Sequence, residues 1–360
     1  VKILLSIVAA LCTIATTPDG WKRIEAPLVP EWPRDHGAHL DARTEWWYVT
    51  GDLVDPSGTE FAFQVTIFRQ GLEAGEAARG ESPLRARHAL AAHVTLTEVA
   101  TGKFRQTERL RRMAAGLASA SDSDLDAFVE DVAIRRTADG SFHAIAAARE
   151  VGFELDLSLV PAKPVVMHGA TGISQKGAEP GNASAYASAT RLVTRGTLRL
   201  DGRELAVRGE AWLDHEWGSS QLGAGVVGWD WTGVRLDDGR ELMLYRLRRA
   251  DGTPTAFSAG TLVAQDGTAR HLALADFTFE PLSTWTSAVT GARYPLRWRV
   301  VVPSAGIDGE LSARVEPCEV DARTTTGTVY WEGPARLTGS VGGSAFLELA
   351  GYVDSLAARF

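Results

Sequence analysis

Among the side chains of this sequence, His215 is the one best suited to move a proton. It lies in Gly209-Glu210-Ala211-Trp212-Leu213-Asp214-His215-Glu216-Trp217-Gly218, and an imidazole can give or accept a proton near neutral pH. In a strand, alternation puts Leu213, His215 and Trp217 on one face and Trp212, Asp214 and Glu216 on the other. His215 then travels with apolar partners, where a histidine also serves as an ordinary hydrogen-bonded core residue. A bulge at Gly218 or Gly223 would bring the acids round to it. Further on, Met243, Tyr245 and Leu247 share a face, and Trp229, Trp231 and Gly233 share another with Asp230 and Thr232 opposite. These faces predict a pocket walled by His215, Trp217, Tyr245 and tryptophans, suited to an elongated apolar molecule with one or two polar handles.

The tryptophans themselves support such a wall. There are 11, and they concentrate in Glu45-Trp46-Trp47-Tyr48 and in the stretch from Trp212 to Trp231. Large aromatics fill cores, but barrel folds also use them to line a greasy cavity. Other chemistries have less support. Asp35-His36-x-x-His39-x-Asp41 and Asp214-His215-Glu216 gather potential ligands, yet no His-Glu-x-x-His helix is present, and the first cluster precedes the first strand in a segment expected to be mobile. No metal centre or cofactor is expected. A Gly-x-Ser-x-Gly elbow is missing, as is any phosphate-cradling loop, which argues against a serine hydrolase or a nucleotide enzyme. With 37 Lys+Arg against 45 Asp+Glu and a formal charge of −8, nothing favours nucleic-acid binding.

The elements that position these residues are strands. Phe61, Phe63, Val65 and Ile67 alternate with small or polar residues, as do Phe153, Leu155, Leu157 and Leu159, and later Leu242 and Leu244. Asp139-Gly140, Asp201-Gly202, Asp238-Gly239, Asp251-Gly252 and Asp266-Gly267 are hairpin turns in waiting. The chain is therefore all-β, an antiparallel sandwich or barrel. Helix is expected only at Ser121–Val129 and Gly71–Ala78, and residues 168–188 read as a long loop approaching a domain boundary. Length, 360 residues, suggests two domains. An internal repeat agrees: Trp47-x-x-Thr50-Gly51 followed by Gly58-x-Glu60-Phe61-x-Phe63 returns as Trp229-x-x-Thr232-Gly233 followed by Gly239-x-Glu241-Leu242-x-Leu244. The first 17 residues, with Lys2 before an apolar run from Ile3 to Leu11, read as a signal peptide, which predicts a periplasmic or secreted protein. Cys12 falls inside that segment, behind Leu11 rather than a small residue, so a lipid anchor is not favoured. Cys318 is expected to be a buried, inert thiol.

The segment His39-x-Asp41-x-Arg43-Thr44-Glu45-Trp46-Trp47-Tyr48-x-Thr50-Gly51 resembles the N-terminal signature of the AttH and carotenoid 1,2-hydratase family. Gly209 to Gly218 with Trp229-Asp230-Trp231 is similar to its central one, and Tyr294-Pro295-x-Arg297-Trp298, Tyr330-Trp331-Glu332-Gly333 and Glu348-Leu349-x-Gly351-Tyr352 to its C-terminal half. The resemblance implies two lipocalin-like antiparallel β-barrel domains in tandem, placed at 18–194 and 195–360, with a hydrophobic pocket near their interface. It further implies cofactor-independent addition of water to an isoprenoid double bond. The catalytic residues would be His215, Tyr245 and Asp230, and the ligand wall would be Glu45, Trp46, Trp47, Tyr48 and Gln64 with Trp217, Trp229 and Trp231. The sequence departs from the family's hydratases at one place: where they have Tyr-x-Asp, it reads Tyr245-Arg246-Leu247, so the expected acid is missing and Asp230, Glu45 or Glu216 would have to replace it. The partner is then an apolar isoprenoid- or lipid-like molecule, with peripheral membrane contact left open. A non-catalytic carrier or attachment factor is the alternative reading.

Overall fold

The computed structural model describes residues 16–25, 27–75, 82, 85–219 and 222–357, all within strands, turns and four single-turn 3-10 helices. No α-helix occurs among the described residues. The strands form two antiparallel sheets. In the first, the neighbours run Lys103–Arg112, His88–Glu98, Glu60–Gly71, Thr44–Val54, Arg203–Gly218, Ala183–Leu200, Phe153–Pro161, Phe142–Ala148, and then three short strands back to Ala118–Ala120. In the second, Val226–Leu236 is flanked by Glu241–Arg249 and Gly343–Ala350, with Thr328–Gly339 beyond the latter. Each sheet curls round its own core, as a barrel wall does.

Alternation explains which side chains enter which core. Trp47, Val49 and Leu53 point into the first barrel with Phe61, Phe63, Val65 and Ile67 from the neighbouring strand. Leu242 and Leu244 enter the second barrel with Val234, Trp298 and Trp331. The remaining faces meet between the sheets: Tyr48, Ala62, Tyr186 and Trp212 from the first pack against Trp231, Met243, Tyr245, Leu247 and Phe346 of the second. This third, aromatic cluster holds the two halves together and positions the site.

The repeat is visible as topology. Thr44–Val54 hairpins with Glu60–Gly71 and is closed on its other side by Arg203–Gly218; Val226–Leu236 hairpins with Glu241–Arg249 and is closed by Gly343–Ala350. All five glycines of the expected Asp-Gly turns adopt positive φ, the conformation that such hairpins demand.

Four expectations need correction. Ser121–Val129 is not helical: residues 122–124 make a bend, and Asp126–Val129 is a strand paired with Val132–Arg136. Of Gly71–Ala78, Gly71 ends a strand, residues 72–75 bend, and 76–78 lie outside the described residues. The expected long loop at 168–188 contains the bridge strand Ser174–Gln175 and the first six residues of Ala183–Leu200. The division at 194/195 falls inside Ala183–Leu200, and the chain passes from the first sheet to the second only between Gly218 and Val226. Strand 203–218 covers the edge of Thr44–Val54, and strand 183–200 bridges it to Phe153–Pro161, so their sequence position after the loop did not make them part of the second unit. Residues 1–15, most of the expected signal segment with Cys12, are outside the described residues.

Cys318 is fully buried and burial pushes its thiol up to about 12. A thiol-exchange reagent is expected to leave it unmodified in native protein and to titrate it once denaturant is added; reaction at native-state rates would contradict this packing.

Candidate functional site

A cavity of about 310 Å³ lies between the two sheets. Strand alternation delivers its walls. From Thr44–Val54 come Trp46 and Tyr48, from the next strand Gln64 and Phe68, from the closing strand Asp214 and Glu216, and from the second sheet Trp229, Trp231, Tyr245 and Leu247. Tyr330 and Glu332 enter from Thr328–Gly339, and Glu348 from its neighbour.

The carboxyl groups have distinct environments. Glu332 is 1% exposed, and its oxygens make no hydrogen bond of regular geometry, although the Tyr48 hydroxyl lies close enough to interact with the carboxyl group. Burial, with the charge of Glu348 beside it, pushes it well above the usual carboxylate range. Glu348 stands directly opposite on the adjacent strand, a spacing at which two like charges repel. It accepts a hydrogen bond from Trp229 Nε1 at 3.0 Å, and burial raises it to about 7. Asp214 accepts from Tyr186 Oη at 2.8 Å, from Trp212 Nε1 at 2.5 Å and from Ser188 Oγ. Burial nevertheless carries it up to about 7. Glu216 is held by Lys176 and Ser184. The cavity thus contains one acid pushed strongly towards its neutral form, two raised to about 7, and one paired with a lysine. Gln64 Oε1 also lacks a protein partner, and buried polar atoms without partners are uncommon in native proteins.

Of the residues expected to line a pocket, Trp46, Tyr48, Gln64, Trp229, Trp231 and Tyr245 do so. Glu45 borders it, but its carboxylate is turned into a separate cluster. His215, Trp47 and Trp217 lie on the far face of their strands, as alternation required, and so miss the cavity. His215 stacks with Trp47 and contacts Trp217, and its Nε2 is 2.9 Å from Glu45 Oε1. Asp230 does not border the cavity either. It is fully buried between Arg246 and Arg248 and accepts a 2.7 Å bond from the Tyr352 hydroxyl, so its lone pairs are already committed.

The Asp35–Asp41 segment, expected to be mobile, is packed against His215. His39 Nδ1 is 2.9 Å from Glu45 Oε1 and its Nε2 is 3.2 Å from Asp35; Arg69 Nε reaches Glu45 Oε2 at 2.7 Å. Burial opposes charge on His39, but its two carboxylates outweigh that and raise it, while Arg69 and the two histidines overcome burial to hold Glu45 well below its ordinary value. Three ligand-type side chains converge here. The guanidinium already supplies the positive charge, so the arrangement is an ion-paired cluster anchoring the N-terminal segment.

Sequence reasoning missed Glu332, Glu348, Lys176 and Asp214 as cavity residues, although three of them stand in strings it had singled out. The signal available was a carboxylate inside an otherwise apolar strand, as in Phe346-Leu347-Glu348-Leu349.

Comparison with known proteins fits this geometry. A structure described as an AttH of Nitrosomonas europaea superposes with a TM-score of 0.80 at 34% identity, covering 91% of this chain and 100% of that one. Kievitone hydratase from Nectria haematococca gives 0.67 at 16% identity over 95% and 99% of the two chains. The structure of CghA with Sch210972 gives 0.51 at 12% over 94% and 98%. At these identities the last two speak for the fold. No curated protein sequence matches. The AttH-like family profile matches residues 24–352, and the chain belongs to the AttH-like family.

Proposed function

We propose that this protein is a cofactor-independent hydratase that adds water to an alkene of an apolar, isoprenoid- or lipid-like molecule bound between its two barrels. The observation that carries this reading is Glu332: a carboxyl group buried with no cation among the described residues to pair with and only the Tyr48 hydroxyl beside it, opposite Glu348, in an aromatic cavity. Environments that push two acids apart mark out a proton donor and a proton acceptor. The neutral Glu332 gives its proton to one alkene carbon, whose π pair forms the new C–H bond. The cation left on the other carbon is steadied by the faces of Trp46, Trp229 and Trp231. Water then adds through an oxygen lone pair and loses a proton to Glu348, and a proton passing from Glu348 to Glu332 restores the starting state. Leu247, which borders the cavity where the family's hydratases were expected to have their acid, is on this reading replaced in function by residues of another strand.

The same Leu247 favours a second reading, in which the cavity binds an apolar molecule without turning it over. One experiment separates them. The purified protein is incubated with acyclic terminal isoprenoid alkenes in ¹⁸O-labelled water, and product is analysed by mass spectrometry. Labelled tertiary alcohol from wild type and not from Glu332→Gln supports the hydratase; binding without product supports the carrier. Filling of the cavity is expected to quench tryptophan fluorescence, because Trp46, Trp229 and Trp231 border it; absence of quenching by every long-chain ligand would remove the binding reading as well. Export, expected from residues 1–17, belongs to the same proposal, and N-terminal sequencing of protein recovered from the extracytoplasmic fraction tests it.

A further inference from the structure

A second cavity of about 270 Å³ lies behind the wall that carries Tyr245, which borders both spaces. It is lined by His168, Ser174, Thr261 and His271 among others, and is more polar than the first. The wall between the two is crossed by a continuous chain of hydrogen bonds. Thr261 Oγ1 is 2.8 Å from His168 Nδ1, His168 Nε2 is 2.6 Å from Ser188 Oγ, and Ser188 Oγ donates to Asp214 Oδ1. Thr261 and His168 border the second cavity and Asp214 the first; Ser188, fully buried, borders neither.

We propose that Thr261, His168 and Ser188 are the path by which Asp214 exchanges its proton with solvent in the second cavity. The directions of the bonds agree throughout. Because Ser188 donates to the carboxylate, it accepts from His168 Nε2–H; Nδ1 is then bare and accepts from the Thr261 hydroxyl. An inward transfer forms O–H on Asp214 Oδ1 and breaks it on Ser188. Ser188 takes the Nε2 proton, Nδ1 takes the Thr261 proton, and Thr261 is refilled by a hydronium ion or buffer acid in the second cavity. The chain ends with every bond reversed, ready to run outward. His168 holds no charge at rest, since burial, with Lys176 and His271 nearby, lowers it to about 3. Tyr186, whose ring centroid is 4.2 Å from that of His168, fixes the other carboxylate oxygen and itself accepts from Trp231 Nε1 at 2.9 Å. The direct alternative is the first cavity, which Asp214 itself borders, and that route closes when a ligand fills the space.

The charged and titratable groups around Asp214 are Glu216 on its own strand, Tyr186 and the imidazole of His168 across the wall, Lys176, Glu348 from the second sheet and Tyr48 from the first. None of them lies in the chain between Asp214 and the second cavity except His168. The inference rests on the cavity described above, but its test needs no substrate, so its failure and the failure of the hydratase reading are separately visible.

The test is a pH jump across neutrality on the full chain, followed by time-resolved infrared spectroscopy of the protonated carboxyl C=O stretch, with the Asp214 contribution identified as the band lost in Asp214→Asn. Thr261→Val and His168→Gln are expected to slow the appearance of that band at least about tenfold while leaving its final amplitude unchanged. Thr261→Val keeps the shape of the side chain, so it reads the path even where the histidine variant folds poorly. An unchanged rate in Thr261→Val, or a wild-type spectrum with no band that Asp214→Asn removes, would overturn the proposal.

Discussion

Glu332→Gln is expected to lower alkene hydration by about a hundred- to ten-thousandfold, the usual contribution of a positioned general acid, with little change in ligand affinity. Glutamine keeps the shape and polarity of the side chain but has no carboxyl proton to give. Glu332→Asp, which keeps the acid and shortens the arm, is expected to retain part of the rate. Stability should move the other way. A buried polar group whose hydrogen bonding is incomplete costs about 1–3 kcal/mol, so Glu332→Met is expected to unfold at higher denaturant than wild type while being inactive. The acids also set a pH dependence. Glu348 and Asp214 are raised by burial, from 4.5 and 3.8 respectively, to about 7. The native state then binds their protons more tightly than the unfolded chain does. Their contribution to stability is fully present below about pH 4, and is lost as pH rises through about 7. Denaturant midpoints measured across this range should fall towards alkaline pH, and fall less in Glu348→Gln. A midpoint that rises through this window would contradict the assignment of neutral acids.

Arg69→Met should be the most damaging single change in the first barrel, costing about 3–5 kcal/mol, because it strips a buried carboxylate of its cation. Arg69 is 1% exposed; besides its 2.7 Å bond to Glu45 it donates Nη2 to the carbonyl oxygens of His39 at 2.8 Å and Ala42 at 2.9 Å. These bonds tie the N-terminal segment to the sheet, so its loss is expected to release residues before Thr44 as well. Combining Arg69→Met with Glu45→Met removes both charges and should recover much of the loss. Chemical denaturation of the single and double variants measures the coupling; a double variant no better than Arg69→Met would show that the carbonyl contacts, not the charge pair, dominate.

Much of the fold was legible. Period-two alternation and Asp-Gly turns are local signals, and the faces they assigned to Leu213, His215, Met243, Tyr245 and Trp231 hold in the structure. The boundary between the halves was not legible, because nothing within Arg203–Gly218 states that its partner is Thr44–Val54. The site was half legible for a related reason. Alternation separates the two faces of a strand but does not say which one borders a cavity. Aromatic neighbours made the His215 face look like the pocket, whereas the cavity lies outside both barrels, on the face of Asp214 and Glu216. Glu332 and Glu348 escaped because a glutamate in a strand ordinarily faces water; only the sheet-on-sheet packing turns these two inward.

Arg203–Gly218 completes the first sheet by pairing with a strand far earlier in the chain, Thr44 lying 174 residues before its partner Gly218. Such distant pairing raises contact order and slows folding, because the entropy of closing the loop is lost before the contact forms. Until the closing strand arrives, Thr44–Val54 presents an open edge on one side, and its Trp46-Trp47-Tyr48 run is a surface that other chains can join. A fragment ending at 194 keeps that edge open permanently, whereas one extending through Gly218 does not. The smallest piece of this chain that can shelter its own tryptophans is therefore the one that includes the strand from which Asp214 reaches the cavity.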